Sequence, residues 1–259
     1  MTETDSLTVA MEATDAYAAF VASPHPTFKH TTYFHVYEEL FAKYRGKPVT
    51  FVEVGILDGG SLFMWRKFFG QSARIIGIDL NPKAKKWESE GFEIFIGSQS
   101  DPSFWESFCA DVGEIDILLD DGGHTYLQQI VTSEMMLDQI SDGGMLVVED
   151  MHTSYMDGFG DRKLSFRNYV HAWVDKLNSR FGKFPKIQSD RRVWSVFAFE
   201  SIVAFNVDRS KSMLVSAPIR NRQPVAGAED YRHHPENKLE ENKAAIQGLL
   251  TQAFSLYKD

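Results

Sequence analysis

The chain has 259 residues, enough for one α/β domain with additions, and its 43% hydrophobic and 24% charged content is ordinary for a globular protein. A formal net charge of −9 argues against non-specific nucleic-acid binding, because neutralising phosphates requires a basic surface. The single cysteine excludes an intramolecular disulfide, and the acidic start and the lack of a bilayer-length apolar run predict a cytoplasmic protein without membrane contact.

An N-terminal arm and an aromatic helix precede the first strand. Residues 1–27 carry a weak helical pattern that stops at a Ser-Pro-His-Pro turn, and this arm packs either on the domain or on a partner subunit. Aromatic side chains then repeat at helical spacing over 33–44, which predicts a helix facing the core. Alternatively, Lys29, His30 and Tyr33 form a flap over a bound cofactor.

The first strand, Val49–Val54, is a short apolar run typical of a buried strand. Gly55 and Gly59 in the turn after it would let the backbone approach a ligand closely, and Ser61 begins a helix. Glu53 precedes the first glycine, whereas dinucleotide-binding folds have Gly-x-Gly-x-x-Gly. This order resembles the first motif of class I S-adenosylmethionine methyltransferases. An acid at this position suits a cofactor that bears an ammonium and a sulfonium. The alternative is a tight turn without a ligand.

The second and third strands add further candidate contacts for a nucleoside. Ile75–Asp79 ends in an acid, and in nucleotide-binding α/β folds an acid at this point takes the ribose hydroxyls. Ser98 and Gln99 follow the third strand, Phe92–Ile96, and are predicted to bond the base. Alternatively, this polar stretch only caps the next helix.

Carboxylates follow the fourth and fifth strands, Ile115–Leu119 and Met145–Val148. Because such strands are neighbours about 4.8 Å apart, Asp121, Glu149 and Asp150 should converge. Neither turn contains a lysine or arginine, and an all-oxygen ligand set suits Mg²⁺ or Mn²⁺. The alternative is that these acids cap helices and bind water.

His124 lies three residues after Asp121 and shares its face if a helix starts there. Imidazole is a natural general base near neutral pH, so His124 is the candidate base, with a purely structural role as the alternative. The candidate acceptor contacts are His152 and Tyr155, beyond the fifth strand. Asp120, at the end of the fourth strand, is predicted to contact the cofactor.

The rest of the chain completes a seven-stranded mixed sheet with helices on both faces. The predicted domain covers 28–208, and 209–259 is a loop and helix packed on the same domain. The other predicted elements are a helix at 125–140, a helix at 166–177, an antiparallel pair of strands at 193–199 and 201–207, a connection at 209–235 and a helix at 236–258.

Two segments, Asp120–His124 and Val148–Tyr155, carry a more specific resemblance. They resemble the two signatures of metal-dependent sugar O-methyltransferases of the macrocin and mycinamicin type, a family with cephalosporin-hydroxylase-like relatives. Earlier blocks of the chain also match, so that the resemblance covers residues 28 to 207. The chain departs from the family pattern at Gly123, where a serine is usual, and at 125–129.

The resemblance implies a Rossmann-like class I methyltransferase domain that binds S-adenosylmethionine through Glu53 and Asp79. It also implies that Asp121, Glu149 and Asp150 hold Mg²⁺ and that His124 is the base. The expected acceptor is a pair of vicinal sugar hydroxyls on a glycosylated natural product or glycan, and the expected assembly is a homodimer or homotetramer.

Two other functions stay open from the sequence. A metal-dependent catechol-type O-methyltransferase also takes an acceptor with adjacent hydroxyls. A cofactor-binding partner subunit of another biosynthetic enzyme is the second alternative, suggested by the hydroxylase-named relatives.

Overall fold

The computed structural model describes residues 10–181, 187–223, 227, 234, 238 and 241–254. Residues up to Ser216 form one compact unit, and a second unit begins at Ala217. The predicted arm and the predicted domain therefore lie in one unit, whereas the predicted C-terminal part is divided after Ser216. Its packing on the domain stays a prediction.

Seven strands form one sheet in the order β3-β2-β1-β4-β5-β7-β6. β1 to β5 run parallel, and β7 lies antiparallel between β5 and β6. The strand order reverses between β1 and β4, which is the point where open α/β sheets bind ligands. The predicted fold class is confirmed. The strands are β1 Thr50–Val54, β2 Arg74–Asp79, β3 Glu93–Ile96, β4 Ile115–Asp120, β5 Ile140–Val148, β6 Ser195–Ala198 and β7 Val203–Asn206.

Helices cover both faces of this sheet. A hydrophobic core lies on each face of the sheet, and alternate side chains of β1 enter opposite cores. Phe51 packs with Trp65 in one core, and Val52 belongs to the other. Each fully buried apolar side chain of this size stabilises the fold by about 1.5–3 kcal/mol. The helices are α1 Asp15–Val21, α2 Tyr33–Phe41, α3 Gly60–Phe69, α4 Pro102–Val112, α5 Tyr126–Met136, α6 Phe166–Ser179, α7 Arg209–Ser212 and α8 Lys243–Ala253, with 3₁₀ turns at Ala42–Tyr44, Pro82–Glu90, Met151–Tyr155 and Arg162–Leu164.

The N-terminal arm packs on the domain through α1. Ala16 and Ala19 are buried, and the backbone N–H of Ala16 donates to Glu38 at 2.8 Å. The predicted aromatic helix is α2, whose Tyr33, Tyr37 and Phe41 are buried as expected for a core-facing helix. No helix in the described part of the chain combines the length and apolar composition needed to cross a bilayer.

The predicted helix at 125–140 is too long. α5 ends at Met136, and β5 begins at Ile140 instead of the predicted Met145, so that it includes Gly143 and Gly144. Glycine is required there, because a Cβ at Gly144 would lie 2.3 Å from the carbonyl oxygen of Asp116. Of the predicted last helix, only Lys243–Ala253 is seen as a helix, and 255–259 and most of 224–240 lie outside the described residues.

Candidate cofactor and metal site

A cavity of about 410 Å³ opens at the carboxyl ends of β1, β2 and β4, the predicted edge of the sheet. Its size is typical of a small-molecule site. It adjoins both the glycine turn and the carboxylates after β4 and β5. The predicted site residues that line it are Gly55, Ser61, Asp79, Ser98, Gln99, Asp121, His124 and Asp150.

The turn after β1 requires glycine at two positions for different reasons. Gly55 has φ +84°, and a Cβ there would lie 2.2 Å from the carbonyl oxygen of Asp121, so glycine brings the β1 and β4 turns into contact. Gly59 has φ +78° and packs against the ring of Trp87. Gly59 does not line the cavity, so its part in the site is to shape the turn.

Asp79 organises the loop that frames the cavity. Its Oδ2 accepts from the backbone N–H groups of Ile56 at 3.2 Å and Leu57 at 3.1 Å, and its Oδ1 accepts from Asn81 at 2.8 Å. The carboxylate still faces the cavity. The predicted position for a ribose contact is therefore present.

Glu53, Asp120 and Gln99 are predicted cofactor contacts whose polar side-chain atoms bond to other protein groups. Glu53 is fully buried behind the cavity, where Ser61 donates to one oxygen at 2.6 Å and Trp65 to the other at 3.1 Å. Asp120 is also buried and does not line the cavity; Gln99 Nε2 donates to its two oxygens at 2.9 and 3.0 Å. Because Gln99 Oε1 accepts from the backbone of Gly123, its whole amide holds the β4 turn. Ser98 is the better placed of the two residues for a base contact.

The acidic cluster (Asp121, Glu149 and Asp150) contains a lysine that comes from the N-terminal segment. Lys29 Nζ lies 2.5 Å from Asp121 Oδ2 and 3.1 Å from Glu149 Oε2, and its side chain is 1% exposed. Burial alone would lower the pKa of Lys29, but these carboxylates raise it well above its ordinary value, so the ammonium stays charged. The two turns themselves contain no lysine or arginine, and Lys29 from the N-terminal segment neutralises part of their charge.

Tyrosines from α2 fix the other carboxylate oxygens. Tyr37 donates to Glu149 Oε1 at 2.5 Å, and Tyr33 donates to Asp150 Oδ1 at 2.5 Å. Burial raises the pKa of Glu149 well above its ordinary value, although Lys29 and Tyr37 favour its charged form. Helix α2, predicted as a core element, therefore also positions the site.

His124 faces Asp150 from the turn after β4. Its Nε2 lies 3.3 Å from Asp150 Oδ2, and its Nδ1 is buried with no hydrogen-bond partner among the described residues. Both residues hold left-handed backbone conformations, with φ +56° for His124 and +57° for Asp150. Such conformations are uncommon outside glycine and recur at functional sites.

The donors present fit a divalent cation, with one difference from the predicted ligand set. Asp121, His124 and Asp150 each offer a ligand atom, and these atoms lie within 4.8 Å of one another. Glu149 is not in this group, because both its oxygens face Tyr37 and Lys29. Three carboxylates against one ammonium leave the acidic cluster with a formal negative charge that a cation would offset.

The two departures from the family pattern compensate each other. A Cβ at Gly123 would lie 2.4 Å from the amide atoms of Gln128. Gln128 in turn closes a capping box with Thr125 at the start of α5. Gln128 belongs to the second departure, at 125–129, and its side chain thus fills the space that a side chain at position 123 would take.

Several site residues were missed from the sequence, or were given another role. Lys29, Tyr33 and Tyr37 come from a segment about a hundred residues away along the chain, and no local pattern links them to the strand ends. Phe28, Leu57 and Leu80 form an exposed apolar rim around the cavity, with Leu80 directly after Asp79.

The predicted acceptor contacts lie in a second cavity of about 520 Å³. His152 and Tyr155 line it together with His30, Tyr33 and Ser201. It lies next to Asp150, since Tyr33 bonds both Asp150 and Ser201. His152 and Tyr155 therefore lie close together, but they line the second cavity and not the nucleoside-sized one.

The chain is similar in sequence to O-methyltransferases of known name. It is 32% identical over 197 residues to the 8-demethyl-8-alpha-L-rhamnosyl tetracenomycin-C 2'-O-methyltransferase of Streptomyces olivaceus, covering 70% of this chain and 51% of that protein. It is 33% identical over 131 residues to the demethylmacrocin O-methyltransferase of Streptomyces fradiae, covering 48% and 33%. The predicted resemblance to sugar O-methyltransferases is confirmed. No family model matches the chain.

The fold agrees with that of a solved methyltransferase. MycE methyltransferase from the mycinamycin biosynthetic pathway, in complex with Mg and SAH, superposes with a TM-score of 0.69 at 21% identity, covering 83% of this chain and 60% of that chain. This likeness bears on the fold. The chain spans about half the length of the first of the curated relatives and a third of the second.

Replacing Lys29 with methionine should destabilise the protein. The change keeps the apolar stem but leaves the carboxylates around it without their counter-ion, and breaking a buried pair costs about 3–5 kcal/mol. Urea denaturation in EDTA measures this free energy of unfolding. Lys67→Met, at an exposed position of α3, is the matched control and should change it by less than about 0.5 kcal/mol. A loss below about 1 kcal/mol for Lys29→Met would contradict the role given to Lys29.

The loss in Lys29→Met should also depend on pH. Because burial raises the pKa of Glu149 in the folded state, that state binds more protons than the unfolded chain, and its stability falls as the pH rises. Lys29 favours the charged form of Glu149, so its removal raises the pKa of Glu149 further in the variant. The stability deficit of the variant relative to the wild type should therefore be larger at pH 8 than at pH 5. The same denaturation series at both pH values measures it, and a pH-independent deficit would point to lost packing instead.

Proposed function

We propose that this chain is an O-methyltransferase that transfers a methyl group from S-adenosylmethionine to a sugar hydroxyl and requires a divalent cation, with Mg²⁺ as the expected ion. The observation that carries the proposal is the juxtaposition at the switch point of the sheet. A nucleoside-sized cavity meets Asp121, His124 and Asp150 there. The curated relatives named above act on sugars of natural products, which supports the same class of acceptor here.

The first cavity would hold the cofactor, which supplies the methyl group. Asp79 lines the cavity and would bind the ribose hydroxyls. Ser98 also lines the cavity and would contact the base. The apolar rim of Phe28, Leu57 and Leu80 gives the adenine a surface to pack against. Gly55 keeps the floor of the cavity free of a side chain. Glu53 contributes from behind the cavity, by fixing Ser61 and Trp65.

Asp121 and Asp150 would hold the cation, and Glu149 supports them from the buried side. Mg²⁺ at this point would fix an acceptor hydroxyl and lower its pKa. Lys29 keeps Asp121 and Glu149 together, and Tyr33 fixes the orientation of Asp150. Side chains held in this way give the precise positioning that accounts for much of the rate in transfer reactions.

His124 would take the proton of the acceptor hydroxyl as the methyl group is transferred. Its Nε2 lies 3.3 Å from Asp150 Oδ2, which orients the ring, and both residues line the first cavity. His152 and Tyr155 in the second cavity would bind the acceptor glycoside, since aromatic faces and polar side chains together suit a sugar ring. A homodimer or homotetramer remains our expectation for the assembly.

A methyl-transfer screen tests this function. Purified protein with Mg²⁺ and donor labelled in the methyl group should label vicinal-diol glycosides such as rhamnosides. Labelling of catechols in place of every glycoside would instead support the catechol-type enzyme. Turnover only after a second protein is added would identify a partner subunit. Transfer by the chain alone to a glycoside is the expected result.

A further inference from the structure

Two histidines that the proposed reaction does not use for its own cation, His30 and His152, line the second cavity and lie close to Asp150. The rings of His30 and His152 meet edge to face, with centroids 5.7 Å apart. Both face one oxygen, Asp150 Oδ1, from His30 Nε2 at 3.9 Å and from His152 Nδ1 at 3.8 Å. One ligand atom from each of the three residues lies within 4.8 Å of the others.

We propose that His30, Asp150 and His152 form a second cation site, which takes a transition-metal ion such as Zn²⁺ or Co²⁺. Two imidazoles and one carboxylate suit these ions, whereas Mg²⁺ prefers oxygen ligands. Three protein ligands leave positions for water or a substrate atom, as in open metal sites. The cavity beside the group provides the space, and His30 and His152 are 49% and 40% exposed, so an ion can enter from solvent.

Two hydroxyl groups hold these donors in place. Tyr33 donates to Asp150 Oδ1 at 2.5 Å and lies 3.1 Å from Ser201 Oγ. Ser201 Oγ also contacts His152 Nδ1. An ion bound at Nδ1 would displace the Ser201 hydroxyl or take its oxygen as a further ligand. The site is therefore built from α2 and the loop before it, the turn after β5 and the turn between β6 and β7.

Asp150 belongs to both cation sites through different oxygens. Its Oδ1 faces His30 and His152, and its Oδ2 faces His124 at 3.3 Å. A carboxylate used in this way bridges two ions. The coupling between the sites rests on the proposed function, whereas the second site itself rests only on its three donors.

Cobalt binding in the presence of excess Mg²⁺ tests the proposal. Tag-free, metal-stripped protein is titrated with Co²⁺, whose visible absorption reports nitrogen ligands directly. Mg²⁺ at high concentration fills the oxygen-rich site without competing for imidazole. The wild type should bind one equivalent of Co²⁺ with visible absorption, and Zn²⁺ should displace it.

Variants assign the ligands. The double variant His30→Ala/His152→Ala should lose this equivalent, while His35→Ala, at an exposed position of α2, should keep it. Asp121→Asn, which changes only the oxygen-rich site, should also keep it. Circular dichroism checks the fold of each variant. If the double variant does not fold, His30→Ala alone, on the exposed loop before α2, should weaken Co²⁺ binding at least about tenfold.

Two results would overturn the second site. One is the lack of Co²⁺ absorption in the wild type under excess Mg²⁺, and the other is unchanged absorption in the double variant. Both readouts are independent of turnover. A protein that binds Co²⁺ through His30 and His152 but transfers no methyl group would disprove the proposed function and leave this site intact.

Discussion

Removal of divalent cations is expected to abolish methyl transfer, and added Mg²⁺ should restore it. The proposed acceptor hydroxyl is positioned by the cation that Asp121 and Asp150 would hold, and that cation would also lower the pKa of the hydroxyl. Turnover with labelled donor is measured after exhaustive chelation and again after Mg²⁺ is added. Asp150→Asn should lose activity at all Mg²⁺ concentrations, because the amide removes a charged ligand.

Two measured properties serve as controls for chelation: the fold of the protein and its affinity for the cofactor. Since Lys29 already neutralises part of the acidic cluster, chelated protein should keep its circular dichroism spectrum and its affinity for the cofactor. Full turnover after chelation would show that these carboxylates are structural. Unfolding on chelation would show instead that Lys29 does not sustain the site without metal.

Replacement of His124 by asparagine is expected to lower kcat by about 10²–10⁴-fold, the usual contribution of a general base. Asparagine is preferred to alanine because His124 has φ +56°, a conformation that asparagine tolerates well. The variant should keep its affinity for the cofactor and for Mg²⁺. The rising limb of the wild-type pH–rate profile should disappear in this variant, because the proposed base is gone.

Two controls separate the base from other roles of His124. His35→Asn, on the exposed side of α2, should have wild-type kcat. His152→Asn should raise KM more than it lowers kcat if His152 only binds the acceptor. Near-normal kcat with the same pH limb in His124→Asn would mean that another group takes the proton. Loss of Mg²⁺ binding in that variant would make His124 a ligand.

The fold could be predicted from the sequence because its strands are short apolar runs with an acid or glycine directly after them. That pattern places Asp79, Asp121 and Asp150 at one edge of the sheet without any three-dimensional information. The glycine requirement at Gly55 was also predictable, although its cause, contact with the carbonyl of Asp121, was not. Misplacing the end of α5 had a local reason: Gly143 and Gly144 read as a helix stop but lie within β5.

The parts that could not be predicted depend on side chains from distant segments. Glu53 has the position of a cofactor ligand in the sequence, but Ser61 and Trp65 turn its carboxylate inward. Lys29 reaches Asp121 across 92 residues of chain, whereas the sequence indicated it only as part of the alternative flap over the cofactor. Local patterns locate strand ends. Tertiary packing decides whether a carboxylate there faces a cavity or bonds to other side chains.

Calorimetry with S-adenosylmethionine and with NAD tests the central claim most directly, because it needs no acceptor. The wild type should bind S-adenosylmethionine and not NAD. Asp79→Asn should weaken binding by about 10–150-fold, which corresponds to ~1.5–3 kcal/mol for a hydrogen bond to a charged group. Asp111→Asn, exposed on α4, should leave the affinity unchanged. Binding of NAD without binding of S-adenosylmethionine would contradict the account.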